Sequence, residues 1–395
     1  MKYDVVFEGG GAKGMVFVGA CDEFTRRGHT FGRLLGTSAG AITAALLAAG
    51  YTTAEMSAAL SEKENGKSVF AGFMGQPAPF SEAELDASAM RRLLDGIKLN
   101  FVFDSWEKKL DNAMLKAMAS SEKFRHILAL IERGGWFAAD TFVTWLQSKL
   151  DAGKREGVQR SFSGMTLAQF FAATNVELSL VASDTTDARL LVLNHTTAPD
   201  CPLVWAVRMS MSIPLVWDEV VWKPEWGKYL GNDMAGHCIV DGGVLSNFAI
   251  ELFVSDAPHV TRLMGAKSGN EVLGMLIDER LPVGAAKWKP VTVDIKPGDL
   301  QMLQRLQRLV DTATTAHDKM VIAEYAHLVV HLPAQGYGTT EFDMSDEKRA
   351  ALVEAGRLAM QLYFDTPAGL LLPTKGARGA PAQSAADQIA TRLLQ

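Results

Sequence analysis

The sequence predicts an α/β fold organised around a mainly parallel central sheet. Two short apolar runs near the start, Tyr3–Glu8 and Thr30–Leu35, are each followed by a glycine-marked turn and a helix-length segment, the strand-helix alternation of parallel sheets. Strand-like runs return late, at Leu178–Ala182, Arg189–Leu193, Val216–Trp222 and His237–Val240, so the second half of the chain is expected to complete the sheet. With 395 residues, 48% hydrophobic and 21% charged, the chain can build one large domain with insertions or two separate cores.

The elements follow in order. Tyr3–Glu8 reads as a buried strand, Gly9–Gly14 as a tight loop, and Met15–Arg27 as a helix ended by Gly28. The unit then repeats as the strand Thr30–Leu35, a turn at Gly36–Gly40, and a helix over Ala41–Ala49 closed by Gly50. From about residue 53 to 157 the pattern is helical, with Lys108–Glu132 and Asp140–Leu150 amphipathic by spacing, and we expect a helical insertion partly covering the C-terminal edge of the sheet. A Trp/Pro/Gly-rich hairpin or loop separates the last two strand-like runs. Leu303, Leu306, Val310 and Ala313 place a helix in Leu300–Tyr325, and Ser345 is a plausible N-cap for a helix running to Phe364. Residues 1–365 are thus expected to form a single domain, and 366–395, rich in Gly, Ala, Pro and Ser from Pro373 to Ala385, a flexible tail.

Composition excludes several classes. A net charge of -6 argues against general nucleic-acid binding, which needs a surplus of lysine and arginine. The start has no apolar h-region or small-residue cleavage site, which points to the cytoplasm, and Cys21, Cys201 and Cys238 offer neither a disulfide framework nor metal-ligand spacing. No apolar run reaches the roughly 18–20 residues of a membrane span, so membrane contact is expected to be peripheral.

The most informative motif is Gly36-Thr37-Ser38-Ala39-Gly40, which has the G-x-S-x-G form of a nucleophile elbow. There the serine sits on a sharp strand-to-helix turn with its hydroxyl exposed, and the following helix N-terminus supplies unpaired N–H groups where an oxyanion forms. Upstream, Gly9-Gly10-Gly11-Ala12-Lys13-Gly14 matches the dinucleotide fingerprint, but that reading needs a carboxylate at the end of the second strand, where Leu34-Leu35-Gly36-Thr37-Ser38 stands. A P-loop fails too, because Lys13 precedes Gly14 instead of following it. What remains is either an anion site, with the N–H groups of Gly9, Gly10 and Gly11 aimed at an oxyanion beside Ser38, or a turn needed only for strand-helix packing.

A serine nucleophile needs a base. Of the eight histidines none is an obvious one; His195, His237, His327 and His331 read as surface or packed residues. Asp241, in Ile239-Val240-Asp241-Gly242-Gly243, is the better candidate, since a carboxylate at a strand end belongs on the active edge of a parallel sheet. The alternative is a common Asp-Gly hairpin turn.

Together these three elements resemble the patatin-like phospholipases, a family that includes bacterial lipolytic effectors and is related in fold to cytosolic phospholipase A2. The glycine-rich loop at Gly9–Gly14 with Lys13, the elbow at Gly36–Gly40 and the Asp-Gly-Gly box at Asp241–Gly243 occur in the family's order. Val207-Arg208-Met209-Ser210-Met211-Ser212-Ile213-Pro214 and Asn247 are weaker echoes, Phe248-Ala249 departs where proline is common, and residues 53–157 match nothing that can be anchored. The resemblance implies a three-layer α/β fold and a Ser38-Asp241 dyad, with Gly9, Gly10 and Gly11 as oxyanion hole and Gly14, Gly36, Gly40, Gly242 and Gly243 supporting it. It implies hydrolysis of acyl esters of phospholipids or related lipids without metal or cofactor, peripheral at membrane surfaces, with an activating protein as a possible partner. Lys13 is either near a lipid phosphate or a plain helix-surface lysine. For a lipid groove the candidates are the Phe70–Phe80 loop, Phe101-Val102-Phe103 and Trp217, Trp222 and Trp226. Two other classes stay open: a soluble acyl-thioesterase or acyltransferase with the same nucleophile, and a non-enzymatic nucleotide- or phosphate-binding module.

Overall fold

The computed structural model describes residues 1–64, 66–96, 117, 119–284, 324–366, 387, 391 and 394. Its central sheet has eight strands: β1 (Lys2–Phe7), β2 (Thr30–Thr37), β3 (Leu178–Asp184), β4 (Arg189–Leu193), β5 (Val220–Val221), β6 (Cys238–Asp241), β7 (Glu271–Pro282) and β8 (Val329–Gln335). Strands β3, β2, β1, β7 and β8 lie side by side and parallel. The antiparallel strands β4, β6 and β5 complete one end.

The pairing of β3 decides where the functional residues fall. Leu180 and Val181 pair with β4 and with β2 at once, so β2 and β4 occupy opposite edges of β3. Ala182, Ser183 and Asp184 pair with β4 and with β6, so β6 also lies opposite β4. Strands β2 and β6 therefore share one edge of β3 and meet end to end on it, Thr37 opposite Val181 and Asp241 opposite Ala182.

Side-chain alternation along the strands builds three layers. Val5, Phe7, Leu34, Leu180 and Ala182 face the larger core, shared with α1 (Val16–Arg26) and α2 (Ala39–Ala48). Val6, Leu35, Val181 and Val192 face a smaller one, covered by Phe248–Phe253 and the short helix Pro258–Met264. The elements that follow are α3 (Thr53–Leu60), α4 (Glu122–Glu132), α5 (Asp140–Asp151), α6 (Leu203–Ser210) and α7 (Asp346–Asp365). Ser345 caps α7 by accepting from the Lys348 N–H at 3.3 Å. Helices α1 and α7 cross so closely that a Cβ on Gly19 would fall 1.7 Å from the Val353 carbonyl oxygen.

The region from 53 to 157 is mostly helical where described, with short β pairs at Lys63–Glu64 with Lys67–Ser68 and Lys154–Arg155 with Val158–Gln159. The run Val216–Trp222, expected as one strand, is instead two. Leu215–Trp217 pairs in parallel with Gly135–Phe137, whereas β5 joins the main sheet. The break falls at Asp218, whose carboxylate and carbonyl both turn to Arg208. Strands β7 and β8 were not anticipated. The helix expected over Leu300–Tyr325 lies almost wholly outside the described residues, as do Phe101-Val102-Phe103, the first part of Lys108–Glu132 and the stretch Pro373–Ala385. At the far end of the expected tail, Asp387 accepts hydrogen bonds from Ser255 Oγ at 2.6 Å and Asp256 N at 3.1 Å.

Among the described residues, no helix is long and apolar enough to cross a membrane.

Candidate active site

Strand β2 turns into α2 within one residue, Ser38, whose φ of 53° and ψ of -119° lie where side chains other than glycine rarely go. Such strain persists only where neighbours over-determine it. Gly40 is pressed on β1, so that a Cβ there would lie 2.3 Å from the Phe7 carbonyl oxygen, and Gly36 is packed equally tightly on the Gly40 carbonyl. The Ser38 N–H donates to Ser210 Oγ at 3.1 Å, and that hydroxyl donates to the Val181 carbonyl at 2.6 Å. The Ser38 carbonyl is held from the other side by the N–H groups of Ala41 and Ile42. The serine's backbone is thus fixed on three sides, and its hydroxyl lies beside Asp241.

Asp241 arrives from the opposite direction along the same edge of β3 and is only 4% exposed. Burial raises its carboxyl to about 7, and the adjacent Ser38 hydroxyl and the Gly243 N–H each pull it back down. Oδ1 accepts from Gly243 N at 2.8 Å, and the Asp241 N–H donates to the Ser212 carbonyl at 2.9 Å. Oδ2 is buried and, among the described residues, closes no hydrogen bond of normal geometry. Gly242 packs on the Val181 carbonyl, with 2.4 Å left for a Cβ.

The glycine loop forms the third side. Gly9 abuts the nucleophile, a Cβ on it falling 3.0 Å from Ser38 Cβ. Its N–H, however, donates to the Asn247 carbonyl at 3.1 Å, which removes Gly9 from the expected set of oxyanion donors. Among the described residues, the N–H groups of Gly10 and Gly11 have no acceptor. Gly11 has φ +54° and sits against the Thr339 carbonyl, where a Cβ would approach to 2.2 Å, so glycine is required there on two counts. Gly14 lies on Ala39 and brings the loop's helix against α2. Lys13, placed by sequence either near a phosphate or on a helix surface, is instead buried, with its ammonium paired to the exposed Glu279.

Sequence reasoning assigned no role to the residues that fasten these parts. The Asn247 amide donates to Glu8 Oε1 at 3.2 Å and to the Gly9 carbonyl at 3.0 Å, so one side chain ties the Asp-Gly-Gly segment to the glycine loop. Arg208 is buried at the end of α6 and binds Ser212 Oγ, the Asp218 carbonyl and the Asp218 carboxylate. Burial draws the Arg208 guanidinium below its usual value and pushes the Asp218 carboxyl up, each partner countering the effect on the other. Through Ser212 this brace reaches the backbone of Asp241.

An apolar cavity, open to solvent at its mouth, is lined by Ser38 and Gly11. One wall is Ala12, Met15 and Val18, the other Ile42, Thr43 and Leu46 of α2; Met56 and Leu60 come from α3, and Phe70, Phe73, Trp217 and Phe342 add an aromatic side. Ser38 and Thr43 carry the polar side chains of this lining. Of the expected groove aromatics, Phe70, Phe73 and Trp217 line the cavity, whereas Trp222 and Trp226 pack on each other.

Among the described residues, no histidine lines the cavity or bonds to Ser38 or Asp241. His195 stacks on Phe171 with ring centroids 3.8 Å apart, and His237 and His331 bond to Asp184 and Asp278. Asp184, Asp187 and His237 bring ligand-type atoms within 4.8 Å of one another. The Arg189 guanidinium, on Asp184 at 3.1 Å and Asp187 at 3.3 Å, supplies the positive charge there, which disfavours a cation.

The family model described as patatin-like phospholipase matches residues 5–254. YqhO of Bacillus subtilis (strain 168) is 28% identical over 371 residues, covering 92% of this chain and 98% of that protein. Among solved structures, VipD from Legionella pneumophila is similar at a TM-score of 0.45 with 16% identity, over 92% of this chain and 66% of VipD. Full-length ExoU from Pseudomonas aeruginosa, solved in complex with SpcU, gives a TM-score of 0.38 with 18% identity, over 92% of this chain and 52% of that one. The chain thus spans about half to two thirds of the length of these solved structures.

Proposed function

From the premise that this chain belongs to the patatin-like phospholipases, we propose that it is a serine lipid acyl hydrolase of the phospholipase A type, working through a Ser38-Asp241 dyad. Family membership supports lipid hydrolysis in general. The dyad rests above all on one observation: a strained serine and a buried carboxyl, its pKa raised by that burial, come together where two strands meet end to end on one strand edge, beside an apolar cavity.

In the acylation step Ser38 Oγ attacks the ester carbonyl carbon as its proton passes to Asp241 Oδ2. The tetrahedral oxyanion is met by the N–H groups of Gly10 and Gly11. Losing one such donor typically costs about 100- to 1000-fold in rate. Collapse expels the alcohol of the lysolipid, which takes the proton from Asp241 as it leaves. Water then attacks the acyl-serine and gives its proton to Asp241; free fatty acid departs and Ser38 recovers its proton. The acyl chain occupies the apolar cavity, which replaces the hydrocarbon surroundings it leaves in the membrane. The substrate is an acyl ester of a phospholipid or related lipid, reached by peripheral contact with a membrane surface, and an activating protein is compatible with this scheme.

The test is labelling with a fluorescent fluorophosphonate, comparing the parent with Ser38→Ala and Asp241→Ala, followed by fatty-acid release from mixed phospholipid vesicles. Labelling lost in Ser38→Ala and fatty acid released by the parent alone are the expected results. Turnover retained in either variant overturns the dyad.

A further inference from the structure

We infer, resting on the acyl-hydrolase reading above, that the cavity beside Ser38 is a length gauge selecting acyl chains of medium length, with Leu46, Met56 and Leu60 as its floor. The two walls run in the same direction away from the nucleophile. On α2, which begins directly after Ser38, the lining positions Ala39, Ile42, Thr43 and Leu46 fall at helical spacing, so they form one stripe along two turns of helix. Facing them, Ala12, Met15 and Val18 form the corresponding stripe where the glycine loop runs into α1. The stripes are held together at the Ser38 end, where Gly14 touches Ala39. At the other end the chain turns back after α2 through Gly50, and α3 brings Met56 and Leu60 to the cavity. Among the described residues, none of α2 beyond Leu46 lines the cavity, so the space stops at Leu46, Met56 and Leu60.

The depth follows from helix geometry. Eight residues from Ser38 to Leu46, at about 1.5 Å each, give roughly 12 Å. Single carbon–carbon bonds of about 1.5 Å at near-tetrahedral angles advance an extended chain by roughly 1.25 Å per methylene, so the cavity accepts about nine or ten carbons. The chains of a bilayer leaflet fill about 15 Å even when disordered, half of the roughly 30 Å hydrocarbon thickness, and a straight one is longer still. A palmitoyl chain with its carbonyl at Ser38 therefore meets Leu46 and Met56 before it is fully inside. Its remaining carbons have no straight path beyond the floor, so the chain must bend back across the cavity or hold its carbonyl short of Ser38, a strain that a straight decanoyl chain does not meet.

The experiment is a series of 4-nitrophenyl esters, butanoyl, hexanoyl, octanoyl, decanoyl, lauroyl and palmitoyl, presented below their aggregation limits to the full chain. For the parent, kcat/KM is expected to rise by up to about fourfold per added methylene as the cavity fills, to peak near decanoyl, and to fall at least about fivefold by palmitoyl through overpacking. Two substitutions move the floor in opposite directions. Leu60→Ala, at a half-buried position whose loss the fold tolerates best, deepens the cavity and shifts the peak towards lauroyl; Leu46→Phe shortens it and shifts the peak towards hexanoyl. A parent that turns over palmitoyl as fast as decanoyl overturns the gauge while leaving ester hydrolysis standing. A peak that stays in place in both folded variants overturns the assignment of the floor. A folded parent that is labelled at Ser38 by the fluorophosphonate yet hydrolyses no member of the series overturns the gauge alone, and one that is neither labelled nor active overturns the acyl-hydrolase reading and the gauge with it.

Discussion

Replacing Asp241 by asparagine separates what the buried carboxyl costs the fold from what it gives the reaction. Burial raises this carboxyl from an ordinary 3.8 to about 7, against the pull of the Ser38 hydroxyl and the Gly243 N–H. At about 1.4 kcal/mol per tenfold change in proton affinity, that rise corresponds to roughly 4 kcal/mol. Its sign is fixed by which state holds the proton. Between about pH 4 and 7 the folded chain binds it and the unfolded chain does not, so stability falls as pH rises through this window. The contribution is fully favourable below about pH 4, where both states are protonated, and the penalty is complete above about pH 7. Asparagine has the same shape, carries no charge, and keeps an oxygen for the Gly243 N–H. Asp241→Asn should therefore exceed the parent in stability by about 2 to 4 kcal/mol at about pH 8, with the difference closing at about pH 4. Urea unfolding of both proteins across this range measures it. In parallel, kcat/KM of the parent should climb about tenfold per pH unit up to about 7 and then level, because only the ionised carboxylate accepts the serine proton. A stability difference that ignores pH, or a flat rate profile, refutes burial as the source of the base.

Two further outcomes follow from the same geometry. Because Ser38 sits at φ 53°, Ser38→Gly should melt above Ser38→Ala, by about 1 kcal/mol in free energy, reversing the usual order of these two residues; equal melting temperatures would mean that the elbow holds no strain. Asn247→Ala removes the donors to Glu8 and to the Gly9 carbonyl, and should lower kcat by about tenfold or more with KM nearly unmoved, since the looser loop presents its N–H groups less well in the transition state. A change confined to KM would instead assign Asn247 to substrate binding.

The first half of the fold was legible because its signals are local. An apolar run, a glycine turn and a small-residue helix, twice in succession, leave little freedom in how β1, α1, β2 and α2 assemble. The long-range partners carried no such signal. Strand β7 reads Glu271–Pro282 with Gly274 inside it and Asp278, Glu279 and Arg280 near its end; β8 contains His331 and Pro333. Their burial comes from β1 and α7, which no periodicity within the segments reports. At the site, Ser38, Asp241 and the glycine loop could be picked out as motifs. The donor count of the loop could not, since the Gly9 N–H is lost to the Asn247 carbonyl, a backbone contact across most of the chain. Likewise Ser210 and Arg208 act through hydrogen bonds to Ser38 N and Ser212 Oγ, and a serine or arginine in an ordinary helix announces neither. The cavity floor is made by Met56 and Leu60, whose spacing is that of any helix packed on a core.

One objection to a Ser-Asp pair is that aspartate, at about 4 in solution, is far too weak a base at neutral pH. The topology answers it. Because β2 and β6 meet end to end on one edge of β3, with Thr37 and Asp241 opposite consecutive residues, the last strand residue before Ser38 and the base are offset by about one residue step, roughly 3.3 Å along the strand. Over that distance a carboxylate reaches the hydroxyl directly, and an imidazole would have no gap to fill. The same approach leaves the carboxyl buried beside Ser38 and Gly243, and burial is what raises it to about 7. A carboxyl titrating there covers the range in which histidine serves other enzymes. On the proposed mechanism, then, sharing one strand edge does two things at once: it removes the need for a relay and gives the aspartate the proton affinity that a relay would have supplied. Any substitution that hydrates Asp241 without moving it, such as enlarging the gap at Ser212, should lower its pKa and slow acylation even though every catalytic atom is still present.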